Sequence, residues 1–343
     1  VTRHPVAKHV NHAPVDLHVG GVGKLDGLTV RVARKTVEAE GIAGIELVAA
    51  DGRELPAFGA GAHVDVHAPG GLLRQYSLCN RPGERHRYLI GVLRDPGSRG
   101  GSVAMHDSLK EGDTLQISTP KDHFPLVEDA TKSLLFAGGI GVTPILAMAE
   151  RLHELGRDFT FHYATRSPAR TAFADRIRGS GFAGRVQFHQ DDGADDQKLD
   201  LPAVLKSPQP GTHVYVCGPK GFLEAVRAQA ADAGWPEANV HCEYFAGVEA
   251  HSVDDRHFDV VIKSSGAIIR VEAAQTVVQA LAANRVFVPV SCEQGVCGTC
   301  LTRVLEGEVD HKDLYLTPEE QAANDQFLPC CSRAKGKRLV LDL

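Results

Sequence analysis

The hydrophobic positions change period twice along the chain. Between Leu28 and Leu126, Val30, Val32, Ile45, Leu47, Val64, Val66, Tyr88, Ile90 and Val92 fall in short runs that alternate with polar residues, and Gly and Pro punctuate them. A period of two puts successive side chains on opposite faces of a strand, so this stretch predicts many short strands in a barrel or sandwich. A helix start interrupts it at Gly100-Gly101-Ser102. From Ser133 to Phe245 the pattern changes: strand-like runs lie at 134–137, 159–164, 186–189, 214–217 and 240–244, with helical patterns between several of them. Ile145, Met148, Leu152 and Leu155 share one helical face, which Gly156 ends. Such alternation predicts a parallel sheet covered by helices.

The polar stretch 248–256 has no period and reads as a linker. Beyond it, 257–343 opens with a hairpin pattern at 258–262 and 268–271, followed by a helix over 276–283 and a Cys-rich loop. Residues 1–27 read as an extended arm whose four His are solvated. The expected organisation is therefore the arm, a β-barrel module over 28–128, an α/β module over 129–247, the linker, and a compact α+β module over 257–343.

Charge narrows the function. The net charge of −6 argues against nucleic acid as the main partner, since phosphate binding wants a basic face. No apolar run reaches the roughly 18 residues that span a membrane. Nor do the first residues carry the apolar core of a secretory signal, so a cytoplasmic protein is expected, with its eight Cys as metal ligands or buried thiols.

Four of those cysteines have a diagnostic spacing. Cys292, Cys297, Cys300 and Cys330 follow C-x4-C-x2-C-x29-C, the plant-type pattern for a [2Fe–2S] cluster. Zinc sites use shorter pairs in two halves. Gly295 and Gly298 suit a loop that wraps tightly round sulfur. Cys331 follows Cys330 directly, so spacing alone leaves the fourth ligand open between the two. If the pair lies on a strand, only one can face the cluster.

Two glycine turns suggest a nucleotide. The segment 134–144 reads as strand, then Gly138-Gly139-Ile140-Gly141, then helix, with Thr143 as N-cap and Pro144 at the first helical position. Cys217-Gly218-Pro219 closes a second strand with a sharp turn. In open parallel sheets, ligands gather at strand C-termini. A nicotinamide gives up two electrons together, whereas one [2Fe–2S] cluster takes one at a time. A nucleotide crevice and a single cluster on one chain therefore call for a flavin between them.

In this order Arg74-x-Tyr76-Ser77-Leu78, Arg99-Gly100-Gly101-Ser102, the 138–144 turn, Cys217-Gly218-Pro219 and the four-cysteine pattern resemble the phthalate dioxygenase reductase family, over roughly residues 28–343. The resemblance implies an FMN barrel, an NAD domain and a ferredoxin domain. It implies that Arg74 holds the FMN phosphate, that Tyr76 packs on the ring, and that Ser77 bonds near flavin N5. Leu78 would complete that strand. Gly91, Val92 and Leu93 would line the flavin, and Gly100, Gly101 and Ser102 would cap its phosphate. Thr143, Cys217 and Phe245 would surround the nicotinamide, which with Ser77 makes the expected catalytic set. Cys330 matches the family's fourth ligand. Arg166 and Arg170 follow the second strand, where they could bind a 2′-phosphate, although the family is mostly NADH-linked.

The function so implied is the reductase component of a two-component Rieske-type oxygenase in aromatic catabolism, working as a monomer with its oxygenase partner. The alternatives are a redox sensor or the reductase of a non-aromatic monooxygenase. Residues 257–343 hold 11 acidic and 9 basic residues, so charge steering toward an acceptor is weak.

Overall fold

The computed structural model describes residues 27–95, 97, 100–245, 255–290 and 293–343. The expected N-terminal arm, most of the linker, Arg99 and Cys292 lie outside the described residues.

Six strands form the first sheet: β1 (Gly27–Ala39), β2 (Ile42–Ala49), β3 (His63–His67), β4 (Leu73–Ser77), β5 (Tyr88–Leu93) and β6 (Thr114–Ser118). Their order is β4-β3-β6-β1-β2-β5 with antiparallel pairing, and a bridge between Leu78 and Ile90 ties the two ends together. That closure makes a barrel rather than a sandwich and removes the exposed sheet edges. All nine alternating positions picked out from the sequence are fully buried inside it. Helix α1 (Gly101–Asp107) starts where the glycine pair predicts, with Gly100 as its cap.

The second sheet is parallel, in the order β11-β10-β7-β8-β9. Its strands are β7 (Lys132–Gly138), β8 (Phe159–Thr165), β9 (Val186–Gln190), β10 (Thr212–Gly218) and β11 (Val240–Tyr244), and each contains one of the five apolar runs. Helices α2 (Val142–Glu154), α3 (Ala174–Arg178), α4 (Leu201–Leu205) and α5 (Lys220–Asp232) cover it. The runs of the central strands, 134–137 and 214–217, are unbroken because both faces are covered. Leu135 and Ala137 enter the core with α2, whereas Leu134 and Phe136 enter the core with α5. Gly156, at φ +66, ends α2 as expected. Leu155 does not share the buried face: it caps the helix and is 36% exposed.

The third sheet, β13-β12-β18-β14-β16, is mixed. It holds β12 (Phe258–Ile262), β13 (Ile268–Val271), β14 (Thr302–Glu306), β16 (Gln326–Phe327) and β18 (Arg338–Leu341). A small ribbon pairs β15 (Val309–Asp310) with β17 (Arg333–Ala334). Helix α6 (Val277–Ala283) begins with a reciprocal cap, in which Gln279 N–H donates to Thr276 Oγ1 at 3.2 Å and Thr276 N–H donates to Gln279 Oε1 at 3.1 Å. Helix α7 (Pro318–Ala323) completes the module. Among the described residues no helix is long and apolar enough to cross a membrane.

A buried histidine pair gives the α/β module an acid limit. His162 Nδ1 lies 3.1 Å from His189 Nε2, and His162 stacks on Phe136. Burial, with His189 and Lys132 nearby, lowers the His162 pKa to about 4. Unfolded His protonates near pH 6.5, as ordinary His does. The stability His162 contributes is therefore present above about pH 6.5 and is lost as pH falls toward 4, on the order of 3 kcal/mol. Denaturant unfolding followed between about pH 8 and pH 5 is expected to show this decline, and His162→Gln to flatten it.

Candidate functional site

A cleft of about 2010 Å³ is walled by all three modules. The barrel contributes β4, Gly91, Leu93 and Ser102; the parallel sheet contributes its C-terminal turns; the third module contributes Gln294, Val296, Cys297 and the loop from Asp313 to Pro318.

Strand β4 runs along the barrel wall, paired with β3 so that Tyr76 lies opposite Val64. The Tyr76 hydroxyl is buried and has no hydrogen-bond partner among the described residues. Burial raises its pKa to about 12, with Arg74 opposing. An unpaired buried hydroxyl costs about 1–3 kcal/mol, so this one fits a site completed by a polar ligand in the cleft. Arg74 lies over the start of α1: a Cβ on Gly101 would come within 2.6 Å of its Nε. A guanidinium packed on a helix start fits an anionic group such as a phosphate. Ser77 is buried and also lines the cleft, while Ser102 Oγ accepts the Asp95 N–H at 3.2 Å.

Other expected flavin residues stand behind this wall. Leu78 and Val92 point into the barrel core, and the Val92 carbonyl lies 2.8 Å from His106 Nε2. Gly101 backs Arg74, and neither it nor Gly100 lines the cleft.

The two glycine turns of the sheet touch each other. A Cβ on Gly141 would meet the Cys217 carbonyl, and one on Gly218 would come within 2.9 Å of the Gly138 Cα. This contact leaves Gly138, Gly139, Gly218 and Pro219 as a nearly bare backbone surface on the cleft, which fits a diphosphate. Thr143 is not the N-cap. The turn Gly139–Gly141 winds as a 3-10 helix, so α2 begins at Val142 with Gly141 as cap. Thr143 is its second residue, donates its hydroxyl to Ile140 O at 3.1 Å, and still lines the cleft. Pro144 follows in the first turn, where its missing N–H would lack an intrahelical partner anyway.

Phe245 lines the cleft just past β11 and is 37% exposed. Cys217 is fully buried and does not itself line the cleft; its Sγ lies 4.0 Å from Oε2 of Glu243, which does. Burial and the neighbouring Glu243 push the Cys217 thiol well above its usual range. Burial, with Asp122 adding, pushes the Glu243 carboxyl up to about 8. Sequence reading assigned no role to Glu243; its place at the C-terminal end of a parallel strand was the available signal. Arg166 lines the cleft beyond β8. His63 and His123, also unforeseen, line the barrel side and meet edge to face at 4.9 Å.

Three of the four expected cluster ligands are described. Cys297, Cys300 and Cys330 are 6%, 3% and 2% exposed, and Cys300 and Cys330 pack in one buried cluster with Leu316, Leu328 and Cys331. Among the described residues no three metal-ligating side chains converge on one point. A [2Fe–2S] site spreads four thiolates over two irons, so the arrangement is compatible with it. Cys330 and Cys331 lie in a turn between β16 and β17, not on a strand, so alternation of faces does not separate them. Cys331 is buried against Gly295, whose φ is +74. Asp313 braces the same region: its carboxylate accepts the Leu316 N–H at 2.9 Å and the Ser332 hydroxyl at 3.2 Å.

Residues 260–335 match the family model described as a 2Fe-2S iron-sulfur cluster binding domain. Residues 118–240 match the model for the N-terminal domain of dimethylamine monooxygenase subunit DmmA-like proteins. The chain is 53% identical to the vanillate O-demethylase oxidoreductase of Pseudomonas sp. (strain HR199 / DSM 7063), across 92% of this chain and 100% of that protein. It is 39% identical to the phthalate dioxygenase reductase of Burkholderia cepacia, across 92% and 97%. A solved phthalate dioxygenase reductase, described as a modular structure for electron transfer from pyridine nucleotides to [2Fe-2S], aligns with TM-score 0.76 at 39% identity, covering 92% of this chain and 98% of that one.

Gly295→Ala should damage the cysteine loop. A Cβ there would strike Cys331 Sγ, and the positive φ adds about 1–2 kcal/mol of strain. Iron and sulfide content and visible absorbance are expected to fall in the purified variant. Adding Cys331→Ala should restore part of the loss by removing the steric contact.

Proposed function

The chain belongs to the phthalate dioxygenase reductase family, and from that premise we propose that it is the NADH-dependent reductase component of a two-component Rieske-type oxygenase acting on an aromatic acid. The observation that carries this reading is the single cleft shared by the Arg74–Ser77 strand, the two glycine turns and the Cys297 loop. We divide the chain into modules at 28–128, 129–247 and 257–343, and take it to act as a cytoplasmic monomer.

FMN bound in the cleft would take two electrons from NADH as a hydride and release them singly to a [2Fe–2S] cluster. Arg74 would hold the FMN phosphate over the start of α1, with Ser102 beside it. Tyr76 would lie against the ring, and its buried hydroxyl would gain the partner it lacks in the protein alone. Ser77, Gly91 and Leu93 would place the ring edge. Phe245 would cover the ring face until the nicotinamide displaces it, with Thr143, Cys217 and Glu243 around the reacting carbon. Gly138, Gly139, Gly218 and Pro219 would receive the dinucleotide's diphosphate. Cys292, Cys297, Cys300 and Cys330 would hold the cluster, with Cys331 packed behind. These residues need only bind, orient and exclude water, since hydride and electron transfer require no nucleophile from the chain.

A second reading, a reductase for a monooxygenase of non-aromatic substrates, draws on the DmmA-like match; identification of the co-purifying oxygenase decides between the two.

Cys297→Ser separates the steps. Anaerobic flavin reduction by NADH should stay within about twofold of wild type, while cytochrome c reduction should fall by about 100-fold or more. Loss of both in a folded variant would refute this order of transfer. Cys330→Ser should lose the cluster absorbance and Cys331→Ser should keep it.

A further inference from the structure

The nucleotide end of the cleft gathers charged side chains at the ends of β8 and β9. Arg166 and Arg170 follow β8, Lys198 lies beyond β9, and all three line the cleft. Arg170 Nη2 is 3.2 Å from Oε1 of Glu40. Glu40 belongs to another module: it sits in the turn between β1 and β2 of the barrel. The backbone fixes that approach, because Glu40 N–H donates to Ala169 O at 2.8 Å. Lys198 Nζ is held 2.8 Å from Asp195 Oδ1. Asp191 lines the same wall, with its N–H donating to Thr165 O. Arg170 and Lys198 are thus each held by a carboxylate, and Arg166 has no ion-pair partner among the described residues.

We propose that Glu40, reaching across from the barrel to occupy Arg170, is the residue that makes this cleft prefer NADH to NADPH. This rests on the reading of the chain as a nicotinamide-dependent reductase. The two dinucleotides differ by a 2′-phosphate carrying a charge of about −1.5 to −2 at neutral pH. In a parallel sheet the adenosine ribose lies near the end of the second strand, where an acidic residue favours the 2′-hydroxyl and a free Arg favours the 2′-phosphate. Here that strand is β8, the second of the module. Beside β8, Arg166 offers uncompensated charge, and a 2′-phosphate reaching for Arg170 must displace Glu40 and meet its carboxylate. The Glu40 carboxylate comes from a module with no other role at this end of the cleft, so the preference is written across the barrel–sheet interface. The pair is well exposed, at 46% and 62%, so it adds little to stability and can be removed without threatening the fold.

The test is equilibrium binding of NAD+ and NADP+ to the full-length, flavin-loaded protein, with Glu40→Gln and the double variant Glu40→Gln/Arg170→Ala alongside wild type. Calorimetry is expected to give NADP+ binding about tenfold tighter in Glu40→Gln, with a smaller change for NAD+. The double variant should lose that gain, and rising salt should erase it. A parallel rise in the NADPH/NADH ratio of kcat/KM, through KM, is the matching kinetic result. An unchanged NADP+/NAD+ ratio in Glu40→Gln, in a protein that binds NAD+, overturns this inference alone. A wild-type protein that binds neither dinucleotide overturns the functional reading and this inference together.

Discussion

The apolar seam between barrel and parallel sheet is the constraint on which the cleft depends. Ile42, Ala60, Cys79 and Phe124 of the barrel side pack into the same core as Leu146, Met148 and Phe173 of the α/β module. Modules joined by polar surfaces move against each other by default, whereas a shared, close-packed apolar core holds one spacing. The fit is tight at the cleft floor: a Cβ on Gly91 would come within 2.7 Å of Thr143 Cγ2. Strand β4 and the glycine turns therefore face each other at a distance set by packing, not by any ligand. The reach of Glu40 to Arg170 is a product of the same seam.

The third module is braced internally by buried charge. Arg333 is 3% exposed and spends its donors on the carbonyls of Gln275, Arg256 and Glu272, while its guanidinium lies 5.1 Å from the Phe258 ring. Asp255 pairs with Lys312 at 2.6 Å. A buried charge is tolerated only when so fully bonded, and removing one partner would leave the other stranded. Since Arg333 follows Cys330 by three residues, the bonds that seat the end of the linker also seat the cysteine turn. Asp313 ties that turn to the loop carrying Tyr315, and so to the cleft.

Much of this was legible in the chain because it rests on period and spacing. The nine alternating barrel positions and the five strand-like runs of the sheet report burial on one face or two. The cysteine spacing and the order of motifs point to the same three modules that the fold and the relatives display. Reading failed where one residue's fate depends on its neighbour in space. Thr143 has the chemistry of a cap, yet the preceding 3-10 turn takes that position. Leu155 keeps the helical phase but lies where α2 has run past its partner. Cys330 and Cys331 lie in a turn, where the alternation of a strand does not apply. Glu243, Glu40 and His123 carry no local signature, since each matters only through what stands opposite.

By itself the sequence determined the kind of each module and the chemistry each can host, because hydrophobic period, glycine turns and thiolate spacing are local quantities. Tertiary structure alone decided which side chains share the cleft, how far Glu243 and Cys217 are pushed from their usual titration, and which cation Glu40 occupies. Those depend on desolvation and on distances across a packed interface, and no stretch of chain contains both sides of that interface.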